Sequence, residues 1–325
     1  MELMARAAFA VAVVGGLNMD FKARCAQAAV PATSNPGVTS HAPGGVGRNV
    51  AEGLVRLGVR VRLCGVVGED ALGRELLAQA QAAGVDVSGV RALPGEATGT
   101  YTALLDHTGD LLYAVADMRV MDALSPALVD GWWPALAGVR WLVVDGNLPE
   151  VALTHLLRRA KAGAVPVVFE PVSVPKAARL LTALRAGCAP HTVTPNLDEL
   201  GVLVGRSVEN TGAAITQAAQ ALLALGVQQV WVRRGPLGSL LVTPGAAHVL
   251  AAVPAEVVDV TGAGDALLAA FLAAQLAGDA PEAAARFAHA VAALVVASRE
   301  TVPPELAGLA RLARFPTHSP GENPC

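Results

Sequence analysis

Ala8-Phe9-Ala10-Val11-Ala12-Val13-Val14 is a continuous apolar run that ends at Gly15-Gly16. This pattern predicts a strand buried on both faces, as in a parallel sheet. Similar runs recur at residues 61–67, 139–144, 165–169 and 227–232. Helical patterns, such as those over residues 70–83 and 150–162, separate most of them. Strands that alternate with helices predict right-handed βαβ crossovers and a three-layer α/β/α fold with a doubly wound, mostly parallel sheet.

Two segments interrupt this alternation. Residues 18–40 contain Pro, Ser, Asn and Gly with little helical period, and residues 98–116 read as two strands around a turn at 106–110. Together they are expected to form a small β sheet, either a lid over a cleft or an edge hairpin without a role. The expected division is an α/β domain over 1–17, 41–96 and 118–314, a β lid over 18–40 and 97–117, and a flexible C-terminal tail over 315–325.

Composition excludes several classes of function. The chain has 325 residues, of which 53% are hydrophobic and only 16% charged, so it can bury a large core. A net charge of −3 without a basic run gives no surface for a nucleic-acid polymer. Four scattered cysteines favour a reducing compartment, and the N-terminal apolar run lacks a clean signal-peptide cleavage site. We therefore expect a soluble cytoplasmic protein without a membrane helix, which would need about 18 apolar residues.

The stretch Asp259-Val260-Thr261-Gly262-Ala263-Gly264-Asp265 leads directly into the apolar residues 266–272. A glycine-lined turn before a buried helix brings an anion close to the unpaired N–H groups and positive dipole of the helix start. Asp265 is then placed to act as a base for phosphoryl transfer to an alcohol. The alternative is an N-capped core helix that follows a glycine loop.

A second glycine motif, Gly44-Gly45-Val46-Gly47-Arg48-Asn49, precedes another helical pattern. A dinucleotide-binding fingerprint would follow the first strand immediately, whereas this motif begins many residues after that strand ends. The glycines and Asn49 suit close contact with a hydroxylated ligand, for which Asn18 and Asp20 at the end of the first strand supply further partners.

The order of these two motifs resembles the ribokinase-like carbohydrate kinases of the phosphofructokinase B family. The resemblance covers residues 8–312 and includes Asn196-Leu197-Asp198-Glu199 and Arg233-Arg234-Gly235-Pro236-Leu237-Gly238. Within the family, several segments are most similar to pseudouridine kinases. These segments are Ser34-Asn35-Pro36-Gly37, Leu104-Leu105-Asp106-His107-Thr108-Gly109, Ala116-Asp117-Met118 and Pro171-Val172-Ser173 with Lys176.

The resemblance implies ATP-dependent phosphorylation of a ribose 5′-hydroxyl with Mg²⁺. Asp265 would accept the hydroxyl proton, and the amides of Gly262, Ala263 and Gly264 would hold the charge of the moving phosphoryl group. With an ordinary Asp pKa of about 3.9, this base is expected to be weak. The nucleotide-binding residues implied are Asn196, Glu199, Arg233, Gly235, Gly238 and Gly264.

Asn196 and Glu199 lie one helical turn apart, so both are expected to face the phosphates, with Glu199 organising Mg²⁺ through water. A helix cap with a solvated acid remains the alternative. Asp259 and Thr261, with carbonyls near residues 298–301, resemble a site for K⁺. The segment 298–302 lacks the glycine that ribokinases often have there, so K⁺ dependence stays open.

On the substrate side, the resemblance implies that Asp20, Gly45 and Asn49 grip the ribose hydroxyls. The full substrate-binding set is Asn18, Asp20, Ser34, Gly44, Gly45, Asn49, Thr98, Asp145 and Lys176. Within this set, Ser34, Thr98 and Lys176 are the candidates that read the uracil ring, although Lys176 also fits a surface lysine. Alternative functions are a kinase for ribose, uridine or adenosine, or a non-catalytic nucleoside-binding protein. The β-rich segment 98–116 further predicts a homodimer that pairs through the lid.

Overall fold

The computed structural model describes residues 9–310. Within this range, nine strands form one sheet in the order β13-β12-β11-β10-β9-β8-β1-β4-β5. The strands of this main sheet are β1 Val11–Val14, β4 Val61–Gly68, β5 Asp86–Leu93, β8 Trp141–Asp145, β9 Val167–Glu170, β10 Thr192–Val193, β11 Gln229–Arg233, β12 Ser239–Thr243 and β13 Ala246–Leu250. The pairs from β5 to β11 are parallel, and the last two pairs are antiparallel.

Helices cover both faces of this sheet. They are α1 Val46–Arg56, α2 Ala71–Ala82, α3 Pro126–Leu136, α4 Glu150–Ala162, α5 Val174–Ala177, α6 Leu181–Arg185, α7 Leu197–Val204, α8 Gly212–Ala224, α9 Ala263–Leu276 and α10 Pro281–Val296. One apolar core, with Trp132 and Phe169, lies under α3 to α8, and a second, with Trp231 and Phe271, lies under α1, α2, α9 and α10. The predicted three-layer, doubly wound fold is therefore confirmed.

Three of the predicted strands begin two residues later than their apolar runs. The first residues of these runs instead close the turn after the preceding helix: Val165 donates its N–H to Ala160, and Val227 donates to Leu222. Val139 does the same with Leu136 at 3.4 Å. The apolar pattern alone does not separate a buried strand from a buried helix-to-strand turn, since both exclude water.

Four other strands within the described range form a separate small sheet. They are β2 Asn18–Cys25, β3 Gly37–Gly44, β6 Thr100–Leu105 and β7 Leu111–Asp117, in the order β3-β2-β6-β7. The two segments predicted to form this sheet pair through β2 and β6, which run parallel. The 98–116 segment is thus no isolated hairpin. The exact domain boundaries stay a prediction, and the predicted tail at 315–325 lies outside the described residues.

The doubly wound arrangement places the functional motifs together. In parallel α/β sheets, ligands bind beyond the carboxyl ends of the strands. Asp145 ends β8, Glu170 ends β9 and Arg233 ends β11, so all three lie at this edge. Along residues 9–310, no helix combines the length and apolar character that crossing a bilayer requires.

Candidate active site

The start of α9 is the predicted anion-binding turn. Gly262 precedes the helix with φ +80°, a left-handed conformation that favours glycine, and a Cβ there would lie 2.7 Å from the Thr301 carbonyl oxygen. The Ala263 N–H already donates to the Val260 carbonyl at 3.3 Å. The turn is therefore packed closely against the 298–302 segment, with a glycine where a side chain would not fit.

Asp265 lies in the first turn of α9 and is 9% exposed. The Asn49 side chain donates a hydrogen bond to its Oδ2 at 2.8 Å, which joins the two glycine motifs across 216 positions of sequence. Burial raises the pKa of Asp265 to about 7, although the Asn49 hydrogen bond and the positive charge of Arg233 oppose this rise. The pKa of this carboxyl therefore lies well above the ordinary value assumed from the sequence, in the range that suits a base at neutral pH.

The small sheet supplies a second polar group. Asn18 donates to Asp20 Oδ1 at 2.5 Å, and Gly44 lies so close to the Asp20 carboxylate that a Cβ there would overlap it. Burial raises the pKa of Asp20 as well. Gly45 has φ +97° and packs against the Gly16 carbonyl, so the glycine motif brings backbone against the end of β1.

Arg48 lies between Asp20 and the Asn49–Asp265 pair. Its Nη1 donates to the Asn49 side-chain oxygen at 2.9 Å and to the Pro43 carbonyl at 3.0 Å. It also pairs with Glu52 on the next turn of α1. The negative charges of Asp20 and Asp265 both raise the pKa of Arg48, against the lowering caused by burial. Of the predicted residues, Asn18 and Gly44 therefore contact Asp20, while Asn49, together with Arg48, connects this part of the small sheet to Asp265.

Asp145 has a different role from the predicted one. It is 0% exposed, and its Oδ2 accepts the N–H groups of Gly16 at 2.7 Å and Gly47 at 3.0 Å. Its Oδ1 accepts from the Asn147 N–H at 2.9 Å. Because all these donors are backbone groups and no surface is left for a ligand, the structure corrects the substrate-binding assignment: Asp145 holds the end of β1 to the start of α1.

The three candidates for the uracil ring lie in different environments. Lys176 is half-buried and donates to the Asn147 side chain at 2.5 Å, so it is no surface lysine, and burial lowers its pKa. Thr98 is buried, but its hydroxyl donates to Asp70 at 2.6 Å in the cap of α2. Ser34 is exposed in the loop between β2 and β3. Of the three side chains, only that of Lys176 lies at the carboxyl edge of the main sheet with hydrogen-bond donor capacity beyond its contact with Asn147.

Asn196 and Glu199 form a capping box at the start of α7. The Asn196 side chain accepts the Glu199 N–H at 2.9 Å, and Glu199 accepts the Asn196 N–H at 2.8 Å. Glu199 is buried rather than solvated and pairs with Arg233 at 3.5 Å. The helix cap is therefore present, and it holds the Glu199 carboxylate next to the Arg233 guanidinium.

Arg233 ends β11 between two buried acids. Its Nη2 donates to Glu170 at 2.6 Å as well as to Glu199. The turn that follows brings Gly235 to φ +57° and Gly238 to φ +82°, where a Cβ would overlap the Leu250 carbonyl. This glycine turn therefore lies directly beside the candidate phosphate-binding groups, as the nucleotide-loop assignment expects.

The residues present fit ATP better than they fit a metal held by protein alone. Within residues 9–310, no three His, Cys, Asp or Glu side chains are grouped to hold a metal ion. The Asp259 carboxylate accepts from Thr261 on one oxygen and from Lys22 at 2.7 Å on the other. The predicted K⁺ site at Asp259 and Thr261 stays a prediction. Mg²⁺ is commonly bound by phosphates with few protein ligands, so it fits the cleft as a partner of ATP.

Four site residues escaped the sequence analysis: Lys22, Asn147, Glu170 and Arg48. Glu170 was recognisable in principle, since it follows a buried strand at the position that Asp145 occupies after β8. Lys22 and Asn147 carry no local signal, because their partners lie 237 and 29 positions away.

Comparison with known proteins agrees with this geometry. Pseudouridine kinase of Escherichia coli is 30% identical over 307 residues, which cover 91% of this chain and 93% of the relative. An uncharacterized sugar kinase of the same species is 33% identical over 305 residues, covering 94% and 83%. The structure of Arabidopsis thaliana ribokinase complexed with ribose and ATP has a TM-score of 0.80 at 26% identity, covering 94% of this chain and 100% of that one.

A model of one protein family also matches nearly the whole chain. The pfkB family carbohydrate kinases match residues 8–307, a range that includes both glycine motifs and the small sheet. Proteins of this family transfer a phosphoryl group to a hydroxyl group. The chain therefore belongs to the pfkB family of carbohydrate kinases.

Proposed function

We propose that this kinase uses ATP to phosphorylate the 5′-hydroxyl of pseudouridine, giving pseudouridine 5′-phosphate and ADP. The observation that carries the proposal is the Asn49–Asp265 hydrogen bond of 2.8 Å at the start of α9, which places a base with a pKa of about 7 beside an anion-binding turn. Similarity to pseudouridine kinase at 30% identity supports the choice of acceptor.

The reaction balances with the groups at this site. The 5′-oxygen forms a bond to the γ-phosphorus while the bond from phosphorus to the bridging oxygen breaks, and ADP leaves with that electron pair. Asp265 takes the hydroxyl proton as the new bond forms. In this proposal, the N–H groups at the start of α9, around Gly262 and Gly264, stabilise the charge of the transferring phosphoryl group. Mg²⁺, bound with ATP, supplies further charge neutralisation.

The acceptor is placed by its two polar ends. Asp20, Asn18 and the Gly44–Gly45 backbone face the ribose hydroxyls. We assign the Lys176–Asn147 pair to the uracil ring, because Lys176 has donor capacity beyond its 2.5 Å bond and pseudouridine offers two ring carbonyls. Asn147 packs against Gly16, two residues before Asn18, so the ring and the sugar would share one wall.

Two alternatives remain. Ribose is a rival acceptor, since a ribokinase solved with ribose and ATP shares this fold over 94% of the chain. A nucleoside-binding protein without catalysis is the rival of another class, and the intact Asp265 and glycine turn argue against it.

A phosphotransfer screen tests the proposal. Purified protein is incubated with Mg·ATP and pseudouridine, uridine, ribose or adenosine, and the phosphorylated product is identified by mass, with Asp265→Asn as the catalytic control. We expect the highest kcat/KM for pseudouridine. A higher kcat/KM for ribose would replace the acceptor. Calorimetric binding of pseudouridine without any turnover would favour the binding protein.

We further propose that the protein is a cytoplasmic homodimer. The small sheet exposes apolar side chains that a partner would cover, namely Val38, Leu111, Tyr113 and Val115. Cys25, Cys64 and Cys188 are buried and unpaired in the described part of the chain, which suits a reducing compartment. Light scattering that gives only a 33.0 kDa species would refute the dimer, and cell fractionation would test the compartment.

A further inference from the structure

Arg233 lies between two buried acids at the carboxyl end of β11. Its Nη2 contacts Glu170 at 2.6 Å and Glu199 at 3.5 Å, and both carboxylates are buried. Both contacts are made by the same nitrogen, so the two acids anchor Nη2 and leave Nη1 and Nε to other groups. A net negative charge remains that a further positive partner, or a proton, has to balance.

The opposite side of the guanidinium faces the anion-binding turn. A Cβ built on Gly264 would overlap Arg233 Nη1, so this nitrogen lies against the first turn of α9. Asp265, on the same turn, acts electrostatically on the Arg233 charge. The Nε of Arg233 is buried without a hydrogen-bond partner. Because residue 264 is glycine, the Arg233 side chain has room to reach the place where the phosphoryl group would pass.

We propose that Arg233 is a catalytic residue, whose Nη1 donates a hydrogen bond to the phosphoryl group during transfer, and that Glu170 and Glu199 are positioning residues. The inference rests on the proposed phosphotransfer but not on the identity of the acceptor. Arg233 exchanges no proton: Asp265 takes the hydroxyl proton, and the electron pair leaves with ADP. A guanidinium that is fixed before the reaction needs no reorganisation as charge develops, which is the condition for strong electrostatic stabilisation.

The alternative is a purely structural role, in which Arg233 only neutralises two buried acids. The two roles differ in what Arg233→Ala does to turnover. Loss of one preorganised donor to a developing charge lowers kcat by about 10²–10³-fold. A structural arginine would instead lower stability, and would affect kcat only as far as the site is distorted.

Arg62 offers a matched control. It pairs with Asp86 at 3.3 Å and has a buried Nε without a partner, as Arg233 does, but it lies at the amino end of β4, away from the site. We expect Arg233→Ala to lower kcat by about 10²–10³-fold, to change the acceptor KM by less than about threefold, and to regain part of its turnover in guanidinium chloride below denaturing concentrations. Arg62→Ala should keep the wild-type kcat.

A binding measurement separates this proposal from the proposed function. Mg·ADP with aluminium fluoride mimics the phosphoryl group in transfer, and calorimetry in the presence of acceptor compares its affinity with that of Mg·ADP alone. Wild type should bind the fluoride complex more tightly, and Arg233→Ala should lose this gain while it still binds Mg·ADP. Wild type that turns over none of the acceptors would refute the proposed function; a preserved gain in Arg233→Ala would refute the role of Arg233.

Two further outcomes would also overturn the proposal. They are a kcat of Arg233→Ala within threefold of wild type, or an equal loss in Arg62→Ala. If Arg233→Ala fails to fold, Arg233→Lys keeps a positive charge between the two acids but loses the planar fork. A folded Arg233→Lys with wild-type kcat would then reject a guanidinium-specific role, whereas a loss of about tenfold or more without loss of Mg·ADP binding would support it.

Discussion

Replacing Asp265 with Asn should make the protein inactive and, at neutral to alkaline pH, more stable. The Asp265 carboxyl is 9% exposed, and burial raises its pKa from 3.8 to about 7. The ionised form is therefore disfavoured in the folded state. Asn removes the charge but keeps an oxygen that can accept the Asn49 hydrogen bond. Ionised Asp265 therefore lowers the stability of the folded state, a cost that is retained because the base serves function.

The size of this cost follows from linkage. The folded state binds a proton to Asp265 that the unfolded state releases between about pH 4 and pH 7, so this residue lowers stability as the pH rises through that window. A pKa rise of about three units, at about 1.4 kcal/mol each, gives an upper value of about 4 kcal/mol. The unfolding free energy of Asp265→Asn should equal that of wild type near pH 4 and exceed it by up to about 4 kcal/mol at pH 8.

Urea unfolding at 25 °C from pH 4 to pH 8 measures this difference, and taking the difference cancels the titration of Glu199, Asp20 and other groups common to both proteins. Asp122→Asn, at an exposed position, is the control and should change the unfolding free energy by less than about 0.5 kcal/mol at every pH. A pH-independent difference, or an Asp265→Asn variant less stable than wild type at pH 8, would refute the reasoning. In the same range, wild-type kcat/KM should rise with pH through about 7 as the carboxylate forms in the free enzyme.

Three other changes test the surroundings of the base. Gly262→Ala should lower kcat by about 10²-fold or more, because its Cβ would lie 2.7 Å from a carbonyl oxygen; Gly95→Ala, with the same φ of +80° but open space, should keep kcat in steady-state assays. Asp145→Asn should lower the unfolding free energy by about 1–3 kcal/mol in urea melts, since one of its three backbone donors would face an NH₂ group. Lys22→Met should change stability by less than about 1 kcal/mol, because the ion pair is partly exposed. It should nevertheless lower kcat/KM and remove part of its salt dependence, and an unchanged kcat/KM would show that this link between the small sheet and the anion-binding turn has no role in turnover.

Local patterns determined much of this protein. Five apolar runs predicted five of the nine strands that the structure describes in the main sheet, namely β1, β4, β8, β9 and β11, and the helix predicted at 150–162 is observed as Glu150–Ala162. The turn at 259–265 predicted the helix start that is observed at Ala263, because glycine conformation and unpaired helix N–H groups are properties of a few adjacent residues; the anion site there stays a prediction. The order of the two glycine motifs was enough to indicate the family.

Only the tertiary structure decided how the site residues act. Asn49 meets Asp265 across 216 positions and Lys22 meets Asp259 across 237, contacts that no local pattern encodes. Asp145 and Asp265 are both buried aspartates, yet Asp145 accepts three backbone N–H groups while Asp265 accepts a single side-chain donor at the start of α9. A carboxyl group becomes a clamp or a base according to its burial and its hydrogen-bond donors, and both are fixed by the packing of distant segments rather than by neighbouring residues.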